Sequence, residues 1–418
     1  MTRAPTRREW RVLVSALSLA IVGCVGAPTH PTRPPAAATT PASTETLAAT
    51  SLPPAPAPAQ APAAESPMFD TMGFSRAGWS TDFSRRTVPL AEIQSGGPPR
   101  DGIPPIDRPM FVDPSVAAGW LAGNEPVVVY EEEGDARAYP LQILIWHEIV
   151  NDAVGGRPVT VTFCPLCNTA IVFDRRLDGV THDFGTTGNL RRSDLVMWDR
   201  QTESWWQQIT GEAIVGELAG ARLIPRPAAI QSFAAFRAAF PNGRVLSRDT
   251  GNPREYGRNP YVGYDDISSS PFLYSGAADG RLRPMERVVT VSLNGDAAAY
   301  PFGHLEQRGV HHDTVGGTPI VILFQKGTSS ALAASRIANS RDVGAAGVFE
   351  PAVEGRALTF RAEGDRLLDV ETESEWDALG RATVGPLVGR RLRPIVHANH
   401  FWFAMAAFYP NVRVWEPR

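Results

Sequence analysis

Short runs rich in valine, isoleucine, threonine and phenylalanine, separated by turns that contain glycine, recur along the chain and predict β-strands. Residues 126–140 (PVVVYEEEGDARAYP) and 288–301 (VVTVSLNGDAAAYP) each place a Gly-Asp turn between two such runs, which predicts two hairpins. The run LQILIWHEIVNDAV predicts an amphipathic helix, and SFAAFRAAF and HFWFAMAAF predict shorter ones. Strands and helices do not alternate regularly, so the pattern favours an α+β fold rich in β-structure.

The chain also repeats itself. Residues 134–163 match residues 295–324 at a constant offset, with Tyr139 against Tyr300, and a second pair of matching segments follows around two Thr-Glu-Ser runs. Self-similarity at a fixed offset is typical of duplicated units. We therefore expect two tandem copies of one unit, the second of them degenerate. The expected boundaries are 68–250 for the first repeat, 251–284 for an inter-repeat loop and 285–418 for the second repeat.

The two copies differ at polar positions that could carry chemistry. A residue kept in both copies is explained by the fold, whereas a residue present in one copy is a candidate for function. Matched at the two constant landmarks, the differences are Cys164 against Gln325, Cys167 against Thr328, His147 against Arg308, Glu148 against Gly309, Arg200 against Val370 and Trp206 against Asp377.

The N-terminus reads as a targeting signal. Several arginines precede a short apolar run that ends in Ile21-Val22-Gly23-Cys24, the pattern of a bacterial lipoprotein signal over residues 1–24 with Cys24 as the lipidated residue. Residues 25–67 are rich in proline, alanine and threonine and predict a disordered tether. The expected location is the cell envelope, outside the cytoplasm, with the membrane as partner through a lipid anchor. A formal charge of −4 with mixed signs offers no basic surface for nucleic acid.

Cys164-Pro165-Leu166-Cys167-Asn168 lies between two β-rich runs, so we expect a strand–turn–strand knuckle of the rubredoxin type, with Asn168 in the left-handed region. Both thiolates would then point at one metal ion, and Cu(I) or zinc suits such ligands. Further ligands would come from His147, His182 or Met197. The motif lacks the histidine of a haem attachment site, and the glycine-rich run FGTTGNLRRSD lacks phosphate-loop spacing, so haem and nucleotide are not expected.

Two other functions remain open. In a thiol–disulfide oxidoreductase, Cys164 would attack and Cys167 would resolve the mixed disulfide, with His147 or Glu148 handling protons. In a surface ligand-binding or scaffold protein, the two cysteines would be structural. The ligand, a small molecule, would contact Arg200, Trp206 and Gln207. In each case the polar, aromatic inter-repeat loop is expected to cover the cysteines as a lid.

The runs YPLQILIWHEIVNDAVGG, VTFCPLCNTAIVFDR and DRQTESWWQ resemble the family called domain of unknown function 3179, over residues 100–290. The resemblance implies a bacterial or archaeal extracytoplasmic protein, often a lipoprotein, and carries no established activity.

Overall fold

Strands dominate the computed structural model of the protein, which describes residues 73–416 and is 40% strand and 11% helix. The predicted β-rich class is therefore confirmed. The expected signal peptide, Cys24 and tether lie outside the described residues.

The elements of the first half follow one another closely. In chain order they are a 3-10 helix (Leu90–Glu92), β1 (Ile93–Ser95), β2 (Phe111–Val112), α1 (Pro114–Ala117), β3 (Pro126–Glu132), β4 (Asp135–Pro140), α2 (Leu141–His147), β5 (Ile149–Val154), β6 (Arg157–Cys164), β7 (Thr169–Asp174), β8 (Arg176–Leu177), β9 (Val180–Thr181), β10 (Phe184–Arg191), β11 (Asp194–Asp199), β12 (Trp205–Gln207), β13 (Glu212–Val215), β14 (Ile224–Arg226), β15 (Ala229–Ser232), α3 (Phe233–Ala239) and β16 (Arg244–Leu246).

The second half has a similar order of elements. They are β17 (Arg287–Leu293), β18 (Asp296–Pro301), α4 (Phe302–Arg308), β19 (Val310–Val315), β20 (Thr318–Gln325), a 3-10 helix (Ile337–Asn339), β21 (Ala345–Phe349), β22 (Ala352–Val353), β23 (Arg356–Ala357), β24 (Phe360–Glu363), β25 (Arg366–Asp369), β26 (Glu375–Trp376), β27 (Ala382–Val384), β28 (His397–Phe401), α5 (Trp402–Phe408) and β29 (Arg413–Val414).

Three sheets form the first half, with strand orders β15-β3-β4-β16-β2, β14-β7-β6-β5 and β1-β10-β11-β12-β13. Three sheets with related orders form the second half: β28-β17-β18-β29, β19-β20-β21 and β24-β25-β26-β27. Two short hairpins, β8-β9 and β22-β23, complete the described sheets. Both predicted hairpins are present, since Val128 pairs with Tyr139 and Val289 with Tyr300.

The helix predicted over LQILIWHEIVNDAV is shorter than expected. It ends at His147, where the Glu148 amide bonds the Leu144 carbonyl at 2.7 Å and Glu148 takes a φ of 57°. The chain then continues as β5, whose β-branched residues pair with β6 around the Val-Gly-Gly turn. The prediction of a longer helix was wrong because the apolar residues of β5 fit a helical period as well as a strand.

The halves pack by contact between strands that belong to different sheets. Strand β28 of the second half lies beside β7 of the first, and β15 of the first lies beside β21 of the second. A hydrophobic core beneath these contacts includes both Cys164 and Cys167 and reaches Phe401 and Phe403 of the second half. Among residues 73–416, no helix is both long and apolar enough to traverse a bilayer.

Candidate metal centre

The two cysteines flank a tight turn between adjacent strands. Cys164 ends β6 and pairs with Thr169, the first residue of β7. The Asn168 amide donates to the Pro165 carbonyl at 3.2 Å, and Asn168 has a φ of 52°, which its short polar side chain tolerates better than most. The predicted strand–turn–strand knuckle is therefore present.

A third acidic side chain meets the two sulfurs. Cys164 and Cys167 are free thiols with relative exposures of 1% and 0%, and their sulfurs lie with a carboxyl oxygen of Asp194 in a group whose atoms are all within 4.8 Å of one another. The Cys167 thiol also contacts the Ser193 carbonyl at 3.3 Å. Asp194 comes from a different sheet, at the start of β11, so the group joins two sheets of the first half.

The Asp194 carboxylate is held on one side only. Its Oδ2 accepts a hydrogen bond from Gln207 Nε2 at 2.6 Å and another from the Ile209 amide at 3.0 Å. Its Oδ1 is buried and has no hydrogen-bond partner among the described residues. Buried carboxylate oxygens are normally paired, so the second oxygen is available to a metal ion or a proton donor.

Burial disfavours the charged form of every acidic group here. It raises the pKa of the Cys164 thiol, raises the pKa of Cys167 well above its ordinary value, and raises the pKa of Asp194 to about 6 despite the hydrogen bond from Gln207. Burial, together with the charge of Asp194, raises the pKa of Glu148 to about 8. In the described part of the chain, no lysine or arginine forms an ion pair with any of these four groups.

The segment formed by residues 251–284, predicted as the inter-repeat loop, lies over the knuckle. The Tyr264 hydroxyl donates to the Leu166 carbonyl at 3.1 Å and accepts from the Phe272 amide at 3.1 Å, while the Ser193 hydroxyl donates to the Phe272 carbonyl. The second half contributes the Phe401 amide, which donates to the Cys167 carbonyl at 2.8 Å. The expected lid contacts are therefore present, and they bury the sulfurs beneath aromatic side chains.

The chain that carries this centre matches a known protein family. The family described as Protein of unknown function (DUF3179) matches residues 100–412, about three quarters of the chain. The chain belongs to this family. No curated protein and no solved structure matches the chain. The DUF3179 match extends beyond the expected residue 290 and includes the second half, so both halves belong to one family region.

His147 does not reach the sulfurs of this DUF3179 protein, contrary to the expectation that it would be a third ligand. It is buried, with Nδ1 bonded to the Pro104 carbonyl at 2.7 Å and Nε2 bonded to the Tyr256 hydroxyl at 2.6 Å. The end of α2 at His147 turns the ring towards the inter-repeat loop. Glu148, the next residue, is the one whose carboxyl group experiences the charge of Asp194.

His182 and Met197 are also outside the group of three ligand atoms. His182 is buried, and its Nδ1 bonds Asp199 at 3.2 Å. Met197 pairs with Trp206 in the sheet and belongs to the hydrophobic core. Both side chains are therefore explained by the fold.

The residues expected to bind a cofactor or small molecule have other partners. Arg200 forms ion pairs with Asp101 and Asp107 at 3.2 and 2.9 Å. The Trp206 indole donates to Asp199 at 2.8 Å. Gln207 instead supports the new site, because its amide holds Asp194.

Two positional assignments made from the sequence repeat need correction. The Trp376 indole donates to Asp369 at 3.0 Å, in the way that Trp206 donates to Asp199, so Trp206 corresponds to Trp376 rather than to Asp377. Gln325 pairs with Ala345 as Cys164 pairs with Thr169, but a long segment joins β20 to β21. Thr328 lies within that segment and is not a counterpart of Cys167.

Sequence reasoning missed Asp194. Phe184 pairs with Asp199 in β10 and β11, and Phe360 pairs with Asp369 at the same place in β24 and β25. Asp199 therefore matches Asp369, and Asp194, five residues earlier, matches Gly364 of the second half. The criterion that selected the cysteines, presence in one half only, would therefore have selected Asp194 as well.

Proposed function

We propose that Cys164, Cys167 and Asp194 bind a divalent metal ion, with zinc as the best match. The proposal is carried by one observation: four acidic side chains, these three and Glu148, are buried with no neighbouring cation from the described part of the protein to balance them. Buried acidic groups must be neutral, paired with a cation or bound to a metal. A metal ion would satisfy both thiolates and the unpaired Asp194 Oδ1 together.

The donor set favours zinc over Cu(I). Two thiolates suit either ion, but a carboxylate oxygen is a hard donor that Cu(I) binds poorly and zinc binds readily. Three protein ligands leave one position for water or a substrate atom, as in catalytic zinc sites. The Glu148 carboxyl group, which experiences the charge of Asp194, would be the nearby group for proton exchange with that fourth ligand.

Thiol–disulfide exchange is less well supported. The nucleophile in that chemistry is an accessible thiolate, usually stabilised at a helix N-terminus. Cys164 and Cys167 instead lie between two strands, are fully buried, and have thiol pKa values raised by burial. The surface ligand-binding function depended on Arg200 and Trp206, and both already have partners within the protein.

We propose that residues 1–24 direct lipidation of Cys24 and that residues 25–67 tether the metal-binding part to a membrane outside the cytoplasm. This proposal is supported by the arginine-rich N-terminus, the short apolar run and the Ile-Val-Gly-Cys sequence. A Cys24→Ser chain should move from the membrane fraction to the soluble fraction, and retention in the membrane fraction would contradict lipid anchoring.

We further propose that the two halves are tandem copies of one unit and that the second has lost the metal centre. The related strand orders and the matching Trp206–Asp199 and Trp376–Asp369 bonds support this origin. The acidic residues of the centre are replaced in the second half, where Gly309 stands opposite Glu148 and Gly364 opposite Asp194. A fold that tolerates glycine at both positions does not need the carboxyl groups.

The metal content of the purified full-length protein tests the proposal. We expect close to one zinc per chain for the unchanged protein and for His147→Gln. Asp194→Asn and the double variant Cys164→Ser, Cys167→Ser should lose most of the metal. Cys24→Ser is the matched control, since it removes a cysteine outside the centre. Equal metal content in all variants would refute the site, and loss in His147→Gln with retention in Asp194→Asn would restore the histidine ligand set.

A further inference from the structure

Each of the two places where strands of the two halves meet forms a partly open cavity. One, of about 110 Å³, lies between β15 and β21, and the other, of about 260 Å³, lies between β7 and β28. Matching side chains line both cavities: Leu392, Phe349 and Phe240 in the smaller, and Leu223, Phe173 and Tyr409 in the larger. The two cavities therefore allow a direct internal comparison.

The smaller cavity is narrowed by arginines. Arg381 and Arg391 lie over the Phe240 ring at 5.3 and 5.2 Å, and Arg381 donates to the Ala239 carbonyl. In the larger cavity the residue matching Arg381 is Glu212, as the Glu212–Arg222 and Arg381–Arg391 bridges indicate. Glu212 forms a 2.6 Å ion pair with Arg222, and Arg222 itself lines the larger cavity. Among the described residues, no cation covers the Tyr409 ring.

A polar side chain also differs between the cavities' neighbouring strands. Gln231 pairs with Val127 in the strand before the first hairpin turn, and His400 pairs with Val288 at the matching place in the second half. The Gln231 side-chain NH2 group already donates two hydrogen bonds, to the Ala346 and Ala378 carbonyls at 3.4 and 3.3 Å. His400 is 3% exposed and lines the larger cavity.

The bonds around His400 fix which ring nitrogen is free. The Thr169 hydroxyl lies 3.2 Å from the Cys167 carbonyl and 2.7 Å from His400 Nδ1, and we assign the tautomer in which it donates to the carbonyl and accepts from Nδ1. Nε2 therefore carries a lone pair, and it has no hydrogen-bond partner in residues 73–416. Burial lowers the pKa of His400 to about 3, so the ring stays neutral and Nε2 remains an acceptor.

We propose that the larger cavity, where apolar side chains such as Phe173, Ile209 and Leu223 stand beside the polar Arg222 and His400, binds a compact aromatic molecule with one N–H or O–H donor, which bonds His400 Nε2. A cavity of about 150 Å³ holds benzene, so 260 Å³ suits a bicyclic aromatic ring system. The proposal goes beyond the metal centre and does not depend on it.

Two probes of the same shape test the hydrogen bond. Indole carries an N–H donor and indene does not, and both can be titrated into the full-length protein by calorimetry. We expect indole to bind about fivefold more tightly, the effect of one hydrogen bond, and this preference to disappear in His400→Leu. Equal affinities for the two probes in the unchanged protein, or no binding of indole up to its solubility limit, would overturn the proposal.

A second pair of variants locates the binding site without changing His400. Leu223→Phe fills the larger cavity and should weaken both probes at least tenfold, whereas Leu392→Phe makes the matching change in the smaller cavity and should leave them unaffected. Equal effects of the two substitutions would contradict the assignment. The Cys164→Ser, Cys167→Ser variant should bind indole as the unchanged protein does, so failure of this proposal is distinguishable from failure of the metal site.

Discussion

Replacing Asp194 with asparagine should change the unfolding free energy in opposite directions in the metal-free protein and in the zinc-bound protein. The side chain is buried, its pKa is raised from 3.8 to about 6, and its Oδ1 has no partner among the described residues. The folded metal-free protein therefore binds the Asp194 proton more tightly than the unfolded chain does. Ionisation of this group consequently costs folding free energy as the pH rises through this interval.

The size of this pH effect on the unfolding free energy follows from the difference between the folded and unfolded pKa values of Asp194. From pH 4.5 to pH 8 the pKa difference costs the metal-free protein about 2 kcal/mol of unfolding free energy, since one pKa unit corresponds to about 1.4 kcal/mol. The asparagine variant does not ionise and escapes this cost. Its unfolding free energy relative to the unchanged protein should therefore rise by about 2 kcal/mol over the same pH interval.

Zinc should reverse the comparison. A metal concentration one hundred times the dissociation constant adds about 2.7 kcal/mol to a protein that binds it only when folded. Metal binding also requires deprotonated ligands, so this gain should increase with pH in the unchanged protein and be largely absent in Asp194→Asn.

Urea unfolding of the full-length protein at pH 4.5 and pH 8, with chelator and with zinc, measures all of these differences. Asp113→Asn, which changes an exposed carboxylate at the start of α1, is the matched control. An Asp194→Asn variant with the same pH dependence as the unchanged protein, and the same response to zinc, would refute the assignment of Asp194 as a buried ligand.

Three further outcomes are expected. Tyr264→Phe removes the hydrogen bonds to Leu166 and Phe272, so its zinc should transfer to a chromogenic chelator several times faster than zinc from the unchanged protein or from Tyr261→Phe. Equal transfer rates would show that the loop does not restrict access to the metal. Trp206→Phe should lower the unfolding free energy by about 1–3 kcal/mol, because the hydrogen bond to Asp199 is lost, and should leave the zinc content unchanged. Zinc loss without destabilisation would instead assign Trp206 to the site. In the metal-free protein, Cys164 and Cys167 should react with a disulfide reagent at neutral pH at least tenfold more slowly than in urea, because both thiols are buried and have raised pKa values. Rapid labelling of the folded protein would favour the thiol–disulfide function.

Local sequence patterns predicted the local geometry of the site well. The β-rich runs on either side of the cysteines fixed a strand–turn–strand knuckle, and Asn168 adopts the expected left-handed conformation. The two hairpins and the short helices α3 and α5 likewise follow from turn residues and apolar periodicity. These features depend on residues close together in the chain.

The third ligand could not be predicted from neighbouring residues. Asp194 reaches the sulfurs from another sheet, and Gln207 positions it from a further strand. Helix α2 ends at His147, and this end directs the His147 ring to Tyr256. The apolar periodicity did not predict this end, because it fits a helix as well as a strand. The cavity beside His400 arises where β7 of the first half meets β28 of the second, a relation that a repeat in the sequence does not specify.

X-ray absorption at the zinc edge of the full-length protein is the most direct measurement of the central claim. The account predicts two sulfur neighbours at about 2.3 Å and at least one oxygen neighbour at about 2.0–2.2 Å, with the sulfur signal lost in Cys164→Ser, Cys167→Ser. A zinc ion surrounded only by nitrogen and oxygen, or a sulfur signal that survives the double substitution, would contradict it.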